Sequence, residues 1–257
     1  MKIYIHCDLE GVAGVSRWDQ TGTDTPGYPQ ACRLMTEELR ACVEGILQAD
    51  PAAEIWVWDG HGPGSIDVER FPRGARLLSR GPISPPYYLD ESFDALFFLA
   101  QHAKAGTANA TLAHTYSSQS IEYYTINGVE YGEFGCRAAM AGEMGVPTVF
   151  VSGDDKMAAE ARALVPEIHV AEVKIGLGPQ LALHMAPEDA RDLIRSTARR
   201  AAARARTIPP FVIPGPYTQE IMIWGRTDPQ PYLGRGFEQT GPRTFVKTAE
   251  HLYQLSV

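Results

Sequence analysis

Apolar positions at Ile3 and Ile5 open the chain and predict a strand over residues 2–8 that ends in Asp8-Leu9-Glu10-Gly11. A loop rich in Gly, Thr, Asp and Pro follows, to Pro29. Leu34, Met35, Leu39, Val43, Ile46 and Leu47 then recur near helical spacing and predict a helix to about Ala49. The β-prone run 54–58 predicts a second strand, stopped by Asp59-Gly60-His61-Gly62-Pro63-Gly64, which suits neither helix nor strand. The proline-broken stretch 71–90 reads as irregular apart from a short strand near 75–79. A third apolar strand, 94–99, ends at Gln101-His102. Asn127-Gly128 between two β-prone runs, 121–126 and 129–131, is a strong hairpin signal.

The remaining pattern alternates helix and strand. A small-residue helix is expected over 133–144, closed by Gly145 and Pro147. A buried strand over 148–152 leads into Asp154-Asp155, acids suited to open a helix ending near Val165. Residues 168–175 read as a strand, and 187–206 as a long helix with proline at its start. Two further strands, near 219–224 and 244–248, and a short helix complete the tail. Alternating strands and helices imply an α/β fold, a largely parallel sheet flanked by helices. The hairpin and the C-terminal part imply a smaller α+β subdomain. The expected division is residues 1–175 as a metal-binding catalytic domain and 176–257 as a smaller region serving subunit contacts and the substrate pocket.

Composition narrows the class. The formal net charge is −8 over 257 residues, against a nucleic-acid binder, which carries a basic footprint. Six arginines lie between Arg191 and Arg206, and they read as a solvated helix face rather than a nucleic-acid patch. No run of 18 apolar residues exists, so no membrane-spanning helix is expected. Cys7, Cys32, Cys42 and Cys136 are scattered, without a CxxC pair, and read as reduced thiols of a cytoplasmic protein.

Three predicted strands end in metal-ligand chemistry: Asp8 and Glu10 after the first, Asp59 and His61 after the second, His102 after the third. In open α/β sheets ligands bind beyond the carboxyl ends of the strands, so parallel strands would gather these residues on one edge. Two close carboxylates repel unless a cation sits between them, and carboxylates mixed with imidazoles suit zinc or a similar ion. Each residue alone also fits a turn, a cap or a satisfied core position. Their joint occurrence points to a metal site.

Asp8-x-Glu10-Gly11 resembles the signature of the zinc-dependent D-aminopeptidase family of dinuclear metallopeptidases. Asp59-Gly60-His61, Ala100-Gln101-His102-Ala103, Ala113-His114-Thr115, Gly132-Glu133-Phe134-Gly135 and Val151-Ser152-Gly153-Asp154-Asp155 follow in the family's order. The resemblance implies Asp8, Glu10, His61, His102 and Glu133 as metal ligands and His114 as the catalytic base or nucleophile. It weakens after about Gly176. At position 6 this chain has histidine where the family commonly has serine. His6 reads as a residue behind the ligands, an added ligand, or a packing residue, and Asp59 as a carboxylate that orients an imidazole.

Five ligands exceed what one catalytic zinc uses, and suit two Zn²⁺ per chain with a bridging carboxylate and a hydroxide between the ions. The expected activity is removal of the N-terminal residue from short peptides, containing D-residues by resemblance, with His114 moving the proton to the leaving amine. The resemblance also implies a homo-oligomer, a pentamer or decamer. A dinuclear phosphoesterase is the alternative enzyme class, although Gly11-Val12-Ala13-Gly14 is not a phosphate-binding loop. A non-catalytic metal-dependent binding protein is the alternative outside enzymes.

Overall fold

In the computed structural model, which describes residues 1–79, 81 and 83–255, twelve strands form two sheets and five α-helices accompany them. In chain order they are β1 (Lys2–Cys7), α1 (Tyr28–Ala49), β2 (Glu54–Asp59), β3 (Ala75–Leu78), β4 (Ala95–Gln101), β5 (Ile121–Ile126), β6 (Val129–Glu130) and α2 (Glu133–Glu143). They continue with β7 (Thr148–Asp154), α3 (Asp155–Leu164), β8 (His169–Gly178), β9 (Leu181–His184) and α4 (Pro187–Ala203). The tail holds β10 (Tyr217–Ile223), α5 (Gln230–Leu233), β11 (Glu238–Gln239) and β12 (Thr244–Ala249). Arg80 and Pro82, within the stretch expected to be irregular, lie outside the described residues.

The larger sheet has the order β3-β2-β1-β4-β7-β8-β9 and is parallel except for the antiparallel β8–β9 hairpin at its edge. Its central strands are buried on both faces: every residue of β4 and β7 is buried. Helices α1 and α4 pack together, as do α2 and α3, and all four contact this sheet. Helix α1 forms because Met35, Leu39, Cys42, Val43 and Ile46 place one apolar stripe against the core, and Pro29 sits in its first turn. The smaller sheet is antiparallel, in the order β11-β12-β10-β5-β6. Asn127 (φ 52°) and Gly128 (φ 78°) make the tight turn of the expected β5–β6 hairpin. No helix among the described residues is long and apolar enough to cross a membrane.

Sheets and chain order do not divide at the same place. The 175/176 position falls inside β8. Strand β9 extends the larger sheet and α4 covers it, while the smaller sheet recruits β5 and β6 from mid-chain. Edge strand β9 and the two-residue β11 are too short for a periodicity to announce them.

The order β2-β1-β4 places a topological switch point between β1 and β4, where the chain leaves β1 toward one side of the sheet and later returns on the other. Cys7 pairs with Asp59 of β2 and with Leu99 of β4, so the carboxyl ends of the three strands lie side by side.

Candidate metal centre

Asp8 and Glu10 leave β1 in a loop pressed against the end of β4. The Gly11 N–H donates to the Ala100 carbonyl at 2.7 Å, and a Cβ at residue 11 would stand 2.2 Å from the Ala100 carbonyl carbon. That approach requires glycine. Ala100 itself has φ 61°, and the register between β4 and β7 shifts there, just before Gln101 and His102. Lys174 on β8 holds the same loop from below: its buried ammonium donates to the carbonyls of Glu10, Val12 (3.2 Å) and Val15 (2.6 Å). Burial lowers its pKa to about 8. Lys174→Met leaves three buried carbonyls without their donor. At roughly 1 kcal/mol each it is expected to lose about 3 kcal/mol of stability, read as a lower urea midpoint.

His61, His102 and His114 reach the site by different routes but are oriented alike. Each ring has Nδ1 against a backbone carbonyl: Gly64 at 2.8 Å, Ala103 at 3.0 Å and Leu112 at 2.9 Å. A carbonyl only accepts, so Nδ1 carries the hydrogen and Nε2 is left with its lone pair toward the site. His61 Nε2 lies 3.4 Å from Glu10 Oε1. His102 Nε2 lies 3.4 Å from Asp8 Oδ2 and 3.3 Å from Glu133 Oε1. His114 Nε2 lies 3.9 Å from that same oxygen of Glu133. Glu133 opens α2, an acid in the first turn where the helix dipole favours it.

These contacts form two triads, Asp8-Glu10-His61 and His102-His114-Glu133, in each of which the ligand atoms lie within 4.8 Å of one another. The six residues converge: Asp8, Glu10, His61, His114 and Glu133 line a cavity of about 670 Å³ whose wall includes Trp18, Pro63, Tyr116 and Ser117, and His102 is buried against Asp8 and Glu133. His102 Nε2 and Glu10 Oε2 are buried and make no hydrogen bond. A buried lone pair between carboxylates calls for a cation, and the mixed set of carboxylates and imidazoles fits zinc.

Without a metal, protons take the cation's place. Burial and the Glu10 carboxylate push Asp8 up to about 8, whereas Glu10 is held below the usual range by His61 although burial opposes it. Burial acts against charge on His61 and His102 too, yet Glu10 raises the first to about 9, and Glu133 with Asp8 the second to about 10. His114 moves the other way. Burial, then the neighbouring His102, keep its pKa below the ordinary histidine value.

One sequence expectation resolves differently, and another is decided among its alternatives. Asp59 orients the His61 loop rather than the imidazole: its Oδ1 accepts from the Ser65 N–H (2.8 Å) and hydroxyl (2.7 Å), and the Gly64 carbonyl takes the ring nitrogen. His6 packs in the sheet face between Trp58 and Phe98, with Nε2 at 2.9 Å from Arg137 Nη1. Burial, then Arg137, hold its pKa well below normal. Arg137 joins the site without a motif to mark it. It lies one turn after Glu133 on α2, donates to Glu133 Oε2 at 2.9 Å, and has the rings of Trp58, Tyr116 and Tyr87 at 5.1, 5.2 and 5.8 Å. Its only sequence signal is the (i, i+4) spacing.

Comparison with known proteins finds similar sequences and a similar fold. A D-aminopeptidase of Bacillus subtilis (strain 168) is 30% identical over 219 residues, covering 83% of this chain and 78% of that protein. The solved structure of the Zn-dependent D-aminopeptidase DppA from Bacillus subtilis, a self-compartmentalizing protease, superposes with a TM-score of 0.89 at 26% identity, over 99% of this chain and 93% of that one. The sequence profile of the D-aminopeptidase family matches residues 1–254. With its strand-end carboxylates and imidazoles at the β1/β4 switch point, this chain belongs to the D-aminopeptidase family.

Proposed function

We propose that Asp8, Glu10, His61, His102 and Glu133 hold two zinc ions, and that the protein hydrolyses the N-terminal residue of short D-amino-acid-containing peptides with His114 as proton carrier. The observation that carries this reading is the buried His102 Nε2, which makes no hydrogen bond and lies between Asp8 and Glu133, two carboxylates that line the cavity. Bound metals lower the pKa of a coordinated water toward neutrality and polarise the scissile carbonyl.

The chain's own residues supply the rest. The Gly64 and Ala103 carbonyls fix the tautomers of His61 and His102. The Tyr116 N–H (2.8 Å) and Arg137 each hold one oxygen of Glu133. His114, neutral at pH 7, accepts a proton at Nε2 and returns it to the departing amine. A peptide's free α-amino group, partly neutral at about pH 7–8, has a lone pair that one of the two zinc ions held by the site's carboxylates would accept. An internal peptide bond has no such group, which restricts cleavage to the end of the chain.

A paired assay tests the activity: D- and L-aminoacyl anilides, peptides of increasing length and an aryl phosphate, each with and without added Zn²⁺. Zinc-dependent release from short D-aminoacyl substrates is expected, with no turnover of the phosphate. Turnover of the phosphate alone would move the site to the phosphoesterases, and bound zinc without any turnover to a binding function. Because the related solved protease is self-compartmentalizing, a homo-oligomer is expected here as well, and light scattering on the purified protein measures it.

A further inference from the structure

We infer that His6 is a positioning residue whose imidazole completes a hydrogen-bonded bridge running behind the cavity from Asp8 through Gln101 and Arg137 to Glu133. The inference rests on the assignment of Asp8 and Glu133 as metal ligands, and it adds Gln101, His6 and Arg137 as the unit that sets those two carboxylates relative to each other.

Donor and acceptor identities fix the direction of every link. A guanidinium only donates, so Arg137 Nη1, 2.9 Å from both His6 Nε2 and Glu133 Oε2, serves two acceptors. His6 Nε2 therefore carries a lone pair, and the ring's hydrogen is on Nδ1. At the far end, Gln101 Nε2 lies 2.9 Å from Asp8 Oδ2 and donates to it, which leaves the Gln101 amide oxygen as the free end. His6 Nδ1 and Gln101 Oε1 are both buried, and neither has a hydrogen-bond partner. One is a donor and the other an acceptor, both orphaned on neighbouring side chains, and pairing them is the link that joins the two halves of the bridge.

The surroundings leave the ring no other place. His6 is 1% exposed, with the Trp58 ring at 4.8 Å and the Phe98 ring at 5.2 Å. On the open side Gly60 abuts it: a Cβ there would stand 2.2 Å from His6 Nε2. The glycine between Asp59 and His61 is thus the space the imidazole occupies. An apolar residue at position 6 would fill the volume and leave Arg137 and Gln101 each one partner short.

The experiment strips the purified protein of metal and measures Zn²⁺ affinity and stoichiometry by competition with a chromogenic chelator. Wild type is compared with His6→Leu, Gln101→Met, the double variant and His6→Gln, whose amide can still accept from Arg137. Each single loss is expected to weaken zinc binding about 10- to 100-fold. The double variant should bind no more weakly than the weaker single one, because either change breaks the same bridge. His6→Gln should bind more tightly than His6→Leu. If His6→Leu does not fold, Gln101→Met carries the same expectation. Unchanged affinity in a folded single variant, multiplicative losses in the double one, or no recovery in His6→Gln would overturn the bridge. Loss of one ion in His6→Leu would make His6 a ligand and overturn its positioning role. A wild-type protein that takes up no zinc would overturn the ligand assignment and the bridge together.

Discussion

Replacing His114 by alanine is expected to leave zinc uptake complete and to cut kcat by about 10²- to 10⁴-fold, the usual contribution of a positioned proton carrier. The ring is placed for that role. Its Nδ1–H is tied to the Leu112 carbonyl at 2.9 Å, and Leu112 (φ 55°) and Tyr116 (φ 59°) flank it in left-handed backbone conformations. Such conformations cluster where a loop holds a functional side chain. The imidazole stacks on His102 with centroids 3.9 Å apart and planes 16° from parallel, and the Trp18 ring meets it edge-on at 5.5 Å. Burial and the adjacent His102 favour its neutral form, so at pH 7 Nε2 is ready to accept a proton. The competing role is that of a ligand, since His114 also belongs to one of the two triads. Metal analysis separates the two: loss of one ion in His114→Ala, or turnover near that of wild type, would remove His114 from the proton path.

What the sequence shows and hides here follows from range. Asp8, Glu10, His61 and His102 are legible because each ends an apolar run abruptly, and parallel strands bring such ends together. Glu133 is legible only through its motif. By pattern alone, an acid in the first turn of a helix is a dipole partner. By sequence, Asp59 reads as the group behind an imidazole. That choice depends on which loop atom takes Nδ1, and the turn at Gly64 supplies a carbonyl first. Arg137, Gln101 and Lys174 carry no local signal. Their partners His6, Asp8 and Glu10 lie 131, 93 and 164 residues away, and only the finished sheet brings them together. Strands β9 and β11 escape for the opposite reason, being too short to show a period.

Removing the metal is expected to abolish hydrolysis, and returning zinc at pH 7 should restore it with release of about two to three protons per site. Asp8 at about 8, His61 at about 9 and His102 at about 10 all lie above neutrality in the metal-free site, so each holds a proton at pH 7. Zinc binds the deprotonated carboxylate and imidazole, and must displace these protons. The sign follows: each proton displaced makes the apparent affinity rise with pH below about 8 and fall steeply on acidification, with a slope equal to the number released. Glu10 and Glu133, held below the usual carboxylate range, are already ionised and contribute none. Calorimetric titration of the stripped protein in buffers of different ionisation enthalpy counts the protons directly. Uptake with no proton release, or an affinity indifferent to pH between 6 and 8, would place the zinc somewhere other than among Asp8, His61 and His102.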